Sequence, residues 1–249
     1  MRLHHLPTAY RAEPGLRLRR DPQPPPAEAA VLRFLKGFHC EEADLWEASS
    51  VRLLDSTATD AKRLLSTLYS PDECVTIALH SATTDDGVQS PPWGETAKRS
   101  EWISRLTTNG LDASISEAWI QLNPFDGNET EGNDEAAFRF ALLEFGSIPI
   151  ALQLPFVARL PLAISAIITG DRDSLHVWVN INAKSAIQYR DTVSRLFALL
   201  RPLGATDTKG DPVQWSRLPW LYQQTNANKA NRHRLLYLNA APKAQPIAK

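Results

Sequence analysis

The amino-acid sequence predicts an α+β fold built on an antiparallel sheet. Two apolar segments, 162–169 and 175–181, have the residue types of strands, and the short polar turn 170–173 between them is typical of a β-hairpin. An amphipathic helix is predicted directly afterwards, at 185–201. Because strand, short helix, hairpin, long helix and strand follow one another without regular alternation, the order favours this class over a doubly wound parallel sheet.

Proline and glycine delimit the other predicted elements. Pro71 ends a helix that begins near Asp60, and Pro202 and Gly204 end the long helix. Helices are also predicted at 27–37, 95–106 and 151–159, and strands at 74–79, 119–122, 140–145 and 234–238. In the long helix, the residues expected to face the core are Ile187, Val193, Leu196, Phe197 and Leu200.

The composition excludes some classes of protein. Of the 249 residues 43% are apolar, which excludes wholesale disorder, and the net charge of -1 excludes a global attraction to nucleic acid or anionic membrane. No uninterrupted apolar run reaches the roughly 18 residues of a membrane helix, so no membrane partner is expected. The two cysteines, Cys40 and Cys74, cannot form a disulfide framework, and they predict a reduced, cytoplasmic chain.

The predicted domain organisation has three parts. Residues 1–28 are expected to form a flexible arm rich in proline and arginine, which is either a solvated tail or a contact for nucleic acid. Residues 29–242 are expected to form one domain, and 243–249 a C-terminal tail. Within the domain, an acidic loop at 126–135 has five carboxylates but not the spacing of a calcium loop, so a solvated loop is favoured over a metal site.

Three groups are candidates for chemistry. Glu144 is a carboxylate inside an apolar strand, where a charge needs a partner. Ser174 and His176 begin another strand and, by alternation, share one face of it. Arg217 lies in a short segment between two tryptophans. Each has a structural alternative: a paired acid at a strand end, a surface histidine, and one half of a structural ion pair.

The C-terminal segment has a one-sided charge. From Pro212 to Lys249 there is no acidic residue, whereas six residues are basic. These are Arg217, Lys229, Arg232, Arg234, Lys243 and Lys249, and aromatic residues lie between them. Because phosphates attract cations and bases stack on aromatic rings, this segment is a candidate nucleic-acid surface, with Arg232 and Arg234 among its contacts.

The order and spacing of these segments resemble a known family. The segments that carry the resemblance are 68–73, 119–124 with Asp126 and Gly127, 138–144, Ile148–Pro149 with Gln153, 174–179, 216–219 and 235–239. Together they make the chain similar to the archaeo-eukaryotic primase superfamily, and more narrowly to plasmid- and phage-type replication primase-polymerases. The resemblance covers roughly residues 64–242.

The resemblance implies a primase-polymerase-like fold, in which an RNA-recognition-like antiparallel sheet with packed helices is joined to a second α/β unit. It implies a DNA-dependent nucleotidyltransferase that uses Mg²⁺ or Mn²⁺, a DNA template and nucleoside triphosphates, with a helicase or replication initiator acting in trans. Glu144 and Asp207 match metal-binding catalytic acids, Ser174 and His176 match the phosphate-contacting motif, and Arg217 matches a nucleotide- or template-contacting arginine.

The sequence departs from the family pattern at the metal site. Gly146 stands where the second acid of a carboxylate pair is expected, and Asp171 and Asp173 place negative charge just before Ser174. Three alternatives therefore stay open. The chain is an active primase-polymerase, an inactive module that binds DNA or nucleotide, or a structural partner of a replicative helicase.

Overall fold

The computed structural model describes residues 27–53, 59–81, 94–108, 115–125, 137–170, 174–206, 214–221 and 232–248. The helices are α1 (Ala27–Leu35), α2 (Glu42–Ala48), α3 (Asp60–Leu68), α4 (Arg99–Thr108), α5 (Ile150–Arg159) and α6 (Ala186–Leu200). The strands are β1 (Cys74–Ser81), β2 (Glu95–Lys98), β3 (Ile115–Gln121), β4 (Phe138–Leu143), β5 (Ile164–Thr169), β6 (Leu175–Ala183), β7 (Trp215–Arg217), β8 (Trp220–Leu221), β9 (Arg232–His233) and β10 (Leu235–Leu238).

The strands form two four-stranded sheets and one short ribbon. The first sheet has the order β2-β1-β3-β7, the second sheet has the order β10-β5-β6-β4, and β8 pairs with β9. All these pairings are antiparallel. The predicted α+β class with an antiparallel sheet is therefore confirmed.

The second sheet is built on a split β-α-β unit. Strands β4 and β5 both pair with β6, which lies between them, so β4 and β5 run parallel and α5 makes the connection between them. The predicted hairpin is the β5–β6 pair. Strand β10 extends this sheet beyond β5.

Alternation along the strands of the second sheet divides the apolar residues between two cores. Ala141 and Leu143 face an outer core that α1, α5 and α6 cover, whereas Phe140 and Leu142 face an inter-sheet core shared with the first sheet, α3 and α4. The second sheet is thus buried on both faces.

Two buried amide side chains join the sheets. Asn123, which follows β3, accepts hydrogen bonds from the main-chain N–H groups of Arg139 and Phe140, both at 2.9 Å, and donates one to the carbonyl of Phe140 at 3.1 Å. Gln214, which precedes β7, accepts a hydrogen bond from the N–H of Leu142 at 2.7 Å. The first sheet therefore supplies partners for main-chain groups of β4.

Several sequence expectations need correction. Residues 95–106 are not one helix, because Glu95–Lys98 pairs with β1 as strand β2 before α4 begins. Ile187 is 77% exposed, since α6 buries Tyr189, Val193, Phe197 and Leu200, and position 187 lies about 200° around the helix from Tyr189. Helix α2 and the short strands β7, β8 and β9 are not predicted from the sequence.

No helix in the described ranges combines the length and the apolar character needed to cross a membrane. The predicted arm at 1–28 lies outside the described residues except for Ala27 and Glu28, which begin α1. The acidic loop lies wholly outside them.

Candidate active site

The candidate residues meet at one end of the second sheet. Because β6 runs antiparallel to both of its neighbours, its first residues lie beside the last residues of β4 and β5. Glu144 follows β4, Gly170 follows β5, and His176 is the second residue of β6. The alternation predicted from the sequence also holds, because His176 and Trp178 point away from the outer core, towards the first sheet.

Glu144 and His176 face each other at this end. Oε1 of Glu144 lies 3.7 Å from Nε2 of His176. The glutamate side chain is one third exposed, whereas the histidine is 4% exposed. The main-chain carbonyl of Glu144 accepts hydrogen bonds from the N–H of Thr206 at 2.9 Å and from its hydroxyl at 3.2 Å. The carboxylate is therefore the more accessible member of the pair.

The other edge of the imidazole ring contacts the first sheet. Nδ1 of His176 accepts a hydrogen bond from the main-chain N–H of Arg217 at 3.1 Å and lies 3.0 Å from Oγ of Ser216. Since a main-chain N–H can only donate, Nδ1 carries no hydrogen and a neutral ring has its hydrogen on Nε2. The neutral ring thus presents its N–H on the edge that faces Glu144.

Gly170 provides the space for this ring. A Cβ atom at position 170 would lie 2.5 Å from Cδ2 and 2.7 Å from Nε2 of His176, and 2.6 Å from Oγ of Ser174. The N–H of Gly170 donates to the carbonyl of Ser174 at 2.7 Å. The main chain after β5 therefore packs directly against both residues of the Ser-x-His motif.

Arg217 is placed differently from its neighbour Ser216. In the register of β7 with β3, Ser216 lies opposite Ile120 and faces the inter-sheet core, while Arg217 lies opposite Trp119. Its guanidinium group stacks 3.5 Å from the centre of the Trp119 ring and lies 3.1 Å from Oε2 of Glu117. The structure thus brings the main chain of Arg217 to His176 but directs its side chain to the opposite face.

The structure describes only some of the basic residues that follow β8. Nη2 of Arg234 lies 2.8 Å from Oε2 of Glu42, and its guanidinium group lies over the ring of Trp46. Its main-chain N–H donates to Oγ1 of Thr169, the residue before Gly170. The side chain of Arg232 lies outside the described part of the chain.

The described residues do not make up a metal site. Strand β4 ends at Leu143, and Gly146 lies in a turn after it. The expected pair of acids on one strand is therefore absent, because position 146 has no carboxylate and does not lie on the strand. In the described ranges, no three histidine, cysteine, aspartate or glutamate residues form a group that could hold a metal ion. Asp207 lies outside those ranges, although Thr206 immediately before it pairs with Glu144.

Three residues of this site have no role predicted from the sequence. Roles are predicted for Ser174, His176 and Arg217, but none for Ser216, Gly170 or Glu117. Ser216 acts across the gap between two sheets, and Glu117 meets Arg217 through strand pairing, so neither contact has a local sequence signal. Gly170 had one, since a glycine directly after a strand often marks a close approach of the main chain.

Comparisons with known proteins identify a structural neighbour. No family model matches the chain, and no curated protein matches it. Among solved structures it is similar to one titled "Crystal structure of primase RepB'", with a TM-score of 0.46 and 12% sequence identity. The match covers 76% of this chain and 59% of that one, so the chain spans less than two thirds of this neighbour's length.

Proposed function

We propose that the chain is a primase-like nucleotidyltransferase domain of a plasmid, phage or other mobile-element replication system. The observation that carries the proposal is the meeting of Glu144 with His176 beside Ser174, where three strand ends converge. These are the residues that the sequence resemblance matches to the metal and phosphate contacts of primase-polymerases. The match was made from sequence segments that are far apart in the chain, so their convergence supports it.

Each residue has a role that its chemistry allows. The hydroxyl of Ser174 and the Nε2–H of His176 would donate hydrogen bonds to phosphate oxygens of a nucleoside triphosphate. Glu144 would be a metal ligand, but it is not sufficient alone. A Mg²⁺ or Mn²⁺ site would need a further acid outside the described residues, and Asp207 is the candidate because the residue before it pairs with Glu144.

The partners follow from the same proposal. A DNA template would lie along the acid-free C-terminal segment, where Arg232 belongs to β9 and Arg234 follows that strand. Arg217 has its guanidinium group engaged by Glu117 and Trp119, so a nucleotide or template contact would need that group to leave its present partners. Unwinding would come from a helicase or replication initiator in trans.

A second candidate function is a primase-like module that binds nucleotide or DNA without catalysis. The observation that favours it is Gly146, which supplies no ligand where the family pattern has an acid. A Cβ atom at position 146 would meet no described atom within 4 Å, so a β-carbon there does not displace a described neighbour. The two candidates therefore differ at a position that can be restored.

The test is primer synthesis on single-stranded DNA with labelled nucleotides and Mg²⁺ or Mn²⁺. We expect the natural protein to give products that Glu144→Ala abolishes, while Glu101→Ala, an exposed substitution on α4, leaves them unchanged. Products from Gly146→Asp alone would support the second candidate as the natural state of the protein. If no variant gives primer products and the natural protein binds neither nucleotide nor DNA, both candidate functions are contradicted.

A further inference from the structure

Ser216 is a fully buried serine at the interface between the two sheets. It belongs to β7 of the first sheet, and its hydroxyl faces β6 of the second. Nε1 of Trp178 donates a hydrogen bond to Oγ of Ser216 at 2.9 Å, and Nδ1 of His176 lies 3.0 Å from the same oxygen. Two neighbouring side chains of β6 thus meet one hydroxyl.

The hydrogen atoms in this cluster can be counted. The indole nitrogen of Trp178 can only donate, so Ser216 accepts from it, and the N–H of Arg217 can only donate, so Nδ1 of His176 accepts from that. The remaining hydrogen is that of the Ser216 hydroxyl. Its neighbouring acceptors are Nδ1 at 3.0 Å and the carbonyl of Arg217 at 3.5 Å. The shorter contact favours Nδ1, whose single lone pair is then shared between this hydroxyl and the N–H of Arg217.

A hydrogen on Nδ1 would be opposed by both partners. It would point at the N–H of Arg217 and would take the place of the Ser216 hydroxyl hydrogen. The ring therefore has one favoured neutral form, with the hydrogen on Nε2, which faces Glu144. Gly170 on a third side fixes where the ring can lie.

We propose that Ser216 is a positioning residue, which with the main-chain N–H of Arg217 holds His176 as a hydrogen-bond donor at Nε2. The first sheet thereby sets the form of the ring that the second sheet presents beside Glu144. The inference rests on the proposed function only for the ligand, which is the triphosphate group of a nucleotide. A donor at Nε2 suits a phosphate oxygen, whereas an unprotonated Nε2 would not bind it.

The first experiment measures the tautomer directly by ¹⁵N NMR of the full chain near neutral pH. The ring signals of His176 are assigned by their loss in His176→Gln. In the natural protein we expect an unprotonated Nδ1 and a protonated Nε2. A hydrogen on Nδ1, whether in the other tautomer or in a doubly protonated ring, overturns the proposal, and this result needs no variant of Ser216 to fold.

The second experiment compares Ser216→Ala with a matched control. We expect Ser216→Ala to give a mixture of the two tautomers, and to weaken the binding of inorganic tripolyphosphate about tenfold. Ser165→Ala is the control, because this serine is equally buried and its hydroxyl has no hydrogen-bond partner among the described residues. Unchanged tautomer and affinity in a folded Ser216→Ala protein would refute the positioning role.

The two proposals fail in different ways. A natural protein that shows the expected tautomer but binds no tripolyphosphate contradicts the proposed function and supports the role of Ser216. A natural protein that binds tripolyphosphate through a ring with its hydrogen on Nδ1 supports a phosphate site and contradicts the role of Ser216.

Discussion

Two glycines near the candidate site illustrate how the same residue type has opposite meanings. Gly170 is required by contact, because a side chain there would overlap the imidazole of His176. Gly146 is not, because a side chain there would extend into open space, and its φ is not in the left-handed region. The first is a packing requirement, while the second is not.

A pair of alanine substitutions tests this contrast. Gly170→Ala is expected to lower the free energy of unfolding by about 1–3 kcal/mol, because the buried ring must move away from the new methyl group. Gly146→Ala is expected to raise it slightly, by up to about 1 kcal/mol, since alanine restricts the unfolded chain. Urea unfolding of both variants measures the difference. Equal effects would mean that the ring does not pack on Gly170 as described.

Some residues of the candidate site are predictable from the sequence and others are not. Glu144 and His176 were identified because a charge in an apolar strand, and a Ser-x-His pattern at a strand start, are visible within a few residues. Ser216 was not, because its role depends on the first sheet lying against the second. The direction of the Arg217 side chain likewise depends on the pairing of β7 with β3.

At the scale of elements, β4 owes part of its stability to side chains from outside its own sheet. Asn123 and Gln214 supply hydrogen bonds to its main chain, and the hydroxyl of Tyr189 on α6 donates to the carbonyl of Phe140 at 3.0 Å. Buried main-chain groups need such partners, since an unpaired one costs about as much as a lost hydrogen bond.

Two glutamines allow this contribution to be isolated. Gln214 and Gln121 are both almost fully buried, but Gln214 accepts a hydrogen bond from Leu142, while Nε2 of Gln121 has no partner among the described residues. Gln214→Met is expected to lower the free energy of unfolding by about 1–3 kcal/mol, because it leaves the N–H of Leu142 unpaired. Gln121→Met is expected to be neutral or stabilising. Similar losses in denaturant titrations of both would show that volume, not hydrogen bonding, dominates.

Elements with strong local patterns were predicted well. The β5–β6 hairpin and helix α6 were found close to their observed bounds, because turn residues and helical periodicity act over short distances. Strand β2 was misread as the start of a helix, because its residues Glu95–Lys98 become a strand only by pairing with β1. The error at Ile187 arose because an apolar residue was assumed to face the core.

At the scale of the whole molecule, a buried acid ties the helical layer to the second sheet. Asp60 begins α3, and its carboxylate accepts a hydrogen bond from the N–H of Leu235 in β10 and lies 3.3 Å from the Arg63 guanidinium group. Burial raises the pKa of Asp60 above its usual value of 3.8, while Leu235, Arg63 and Arg234 oppose the rise.

The raised pKa gives the global stability a definite pH dependence. The stability that Asp60 contributes in its protonated form is fully present below 3.8 and is lost as the pH rises through the higher value of the folded state. Asp60→Asn has no such loss, so its stability relative to the natural protein is expected to increase with pH over this window. Urea unfolding of both proteins from below pH 3.8 to neutral pH is the measurement. A constant difference would contradict the raised pKa.

The fold class was predictable from the order of the elements, but the assembly was not. A hairpin between helices already indicates an antiparallel α+β protein, and the structure has this organisation. The sequence could not predict that the two faces of the second sheet pack in different cores. Both of its faces are apolar, and a sequence does not show which apolar face meets a helix and which meets another sheet.

The amides of Asn123 and Gln214 have a consequence for how the molecule behaves in a crowded solution. An outermost strand usually presents open main-chain groups, to which a strand of another molecule can add, and this is a common route to aggregation. In β4 the N–H groups of Phe140 and Leu142 are already taken by these two side chains. Two N–H groups on this edge of the second sheet are therefore not open to a strand of another molecule, although neither position has a charged residue or a proline.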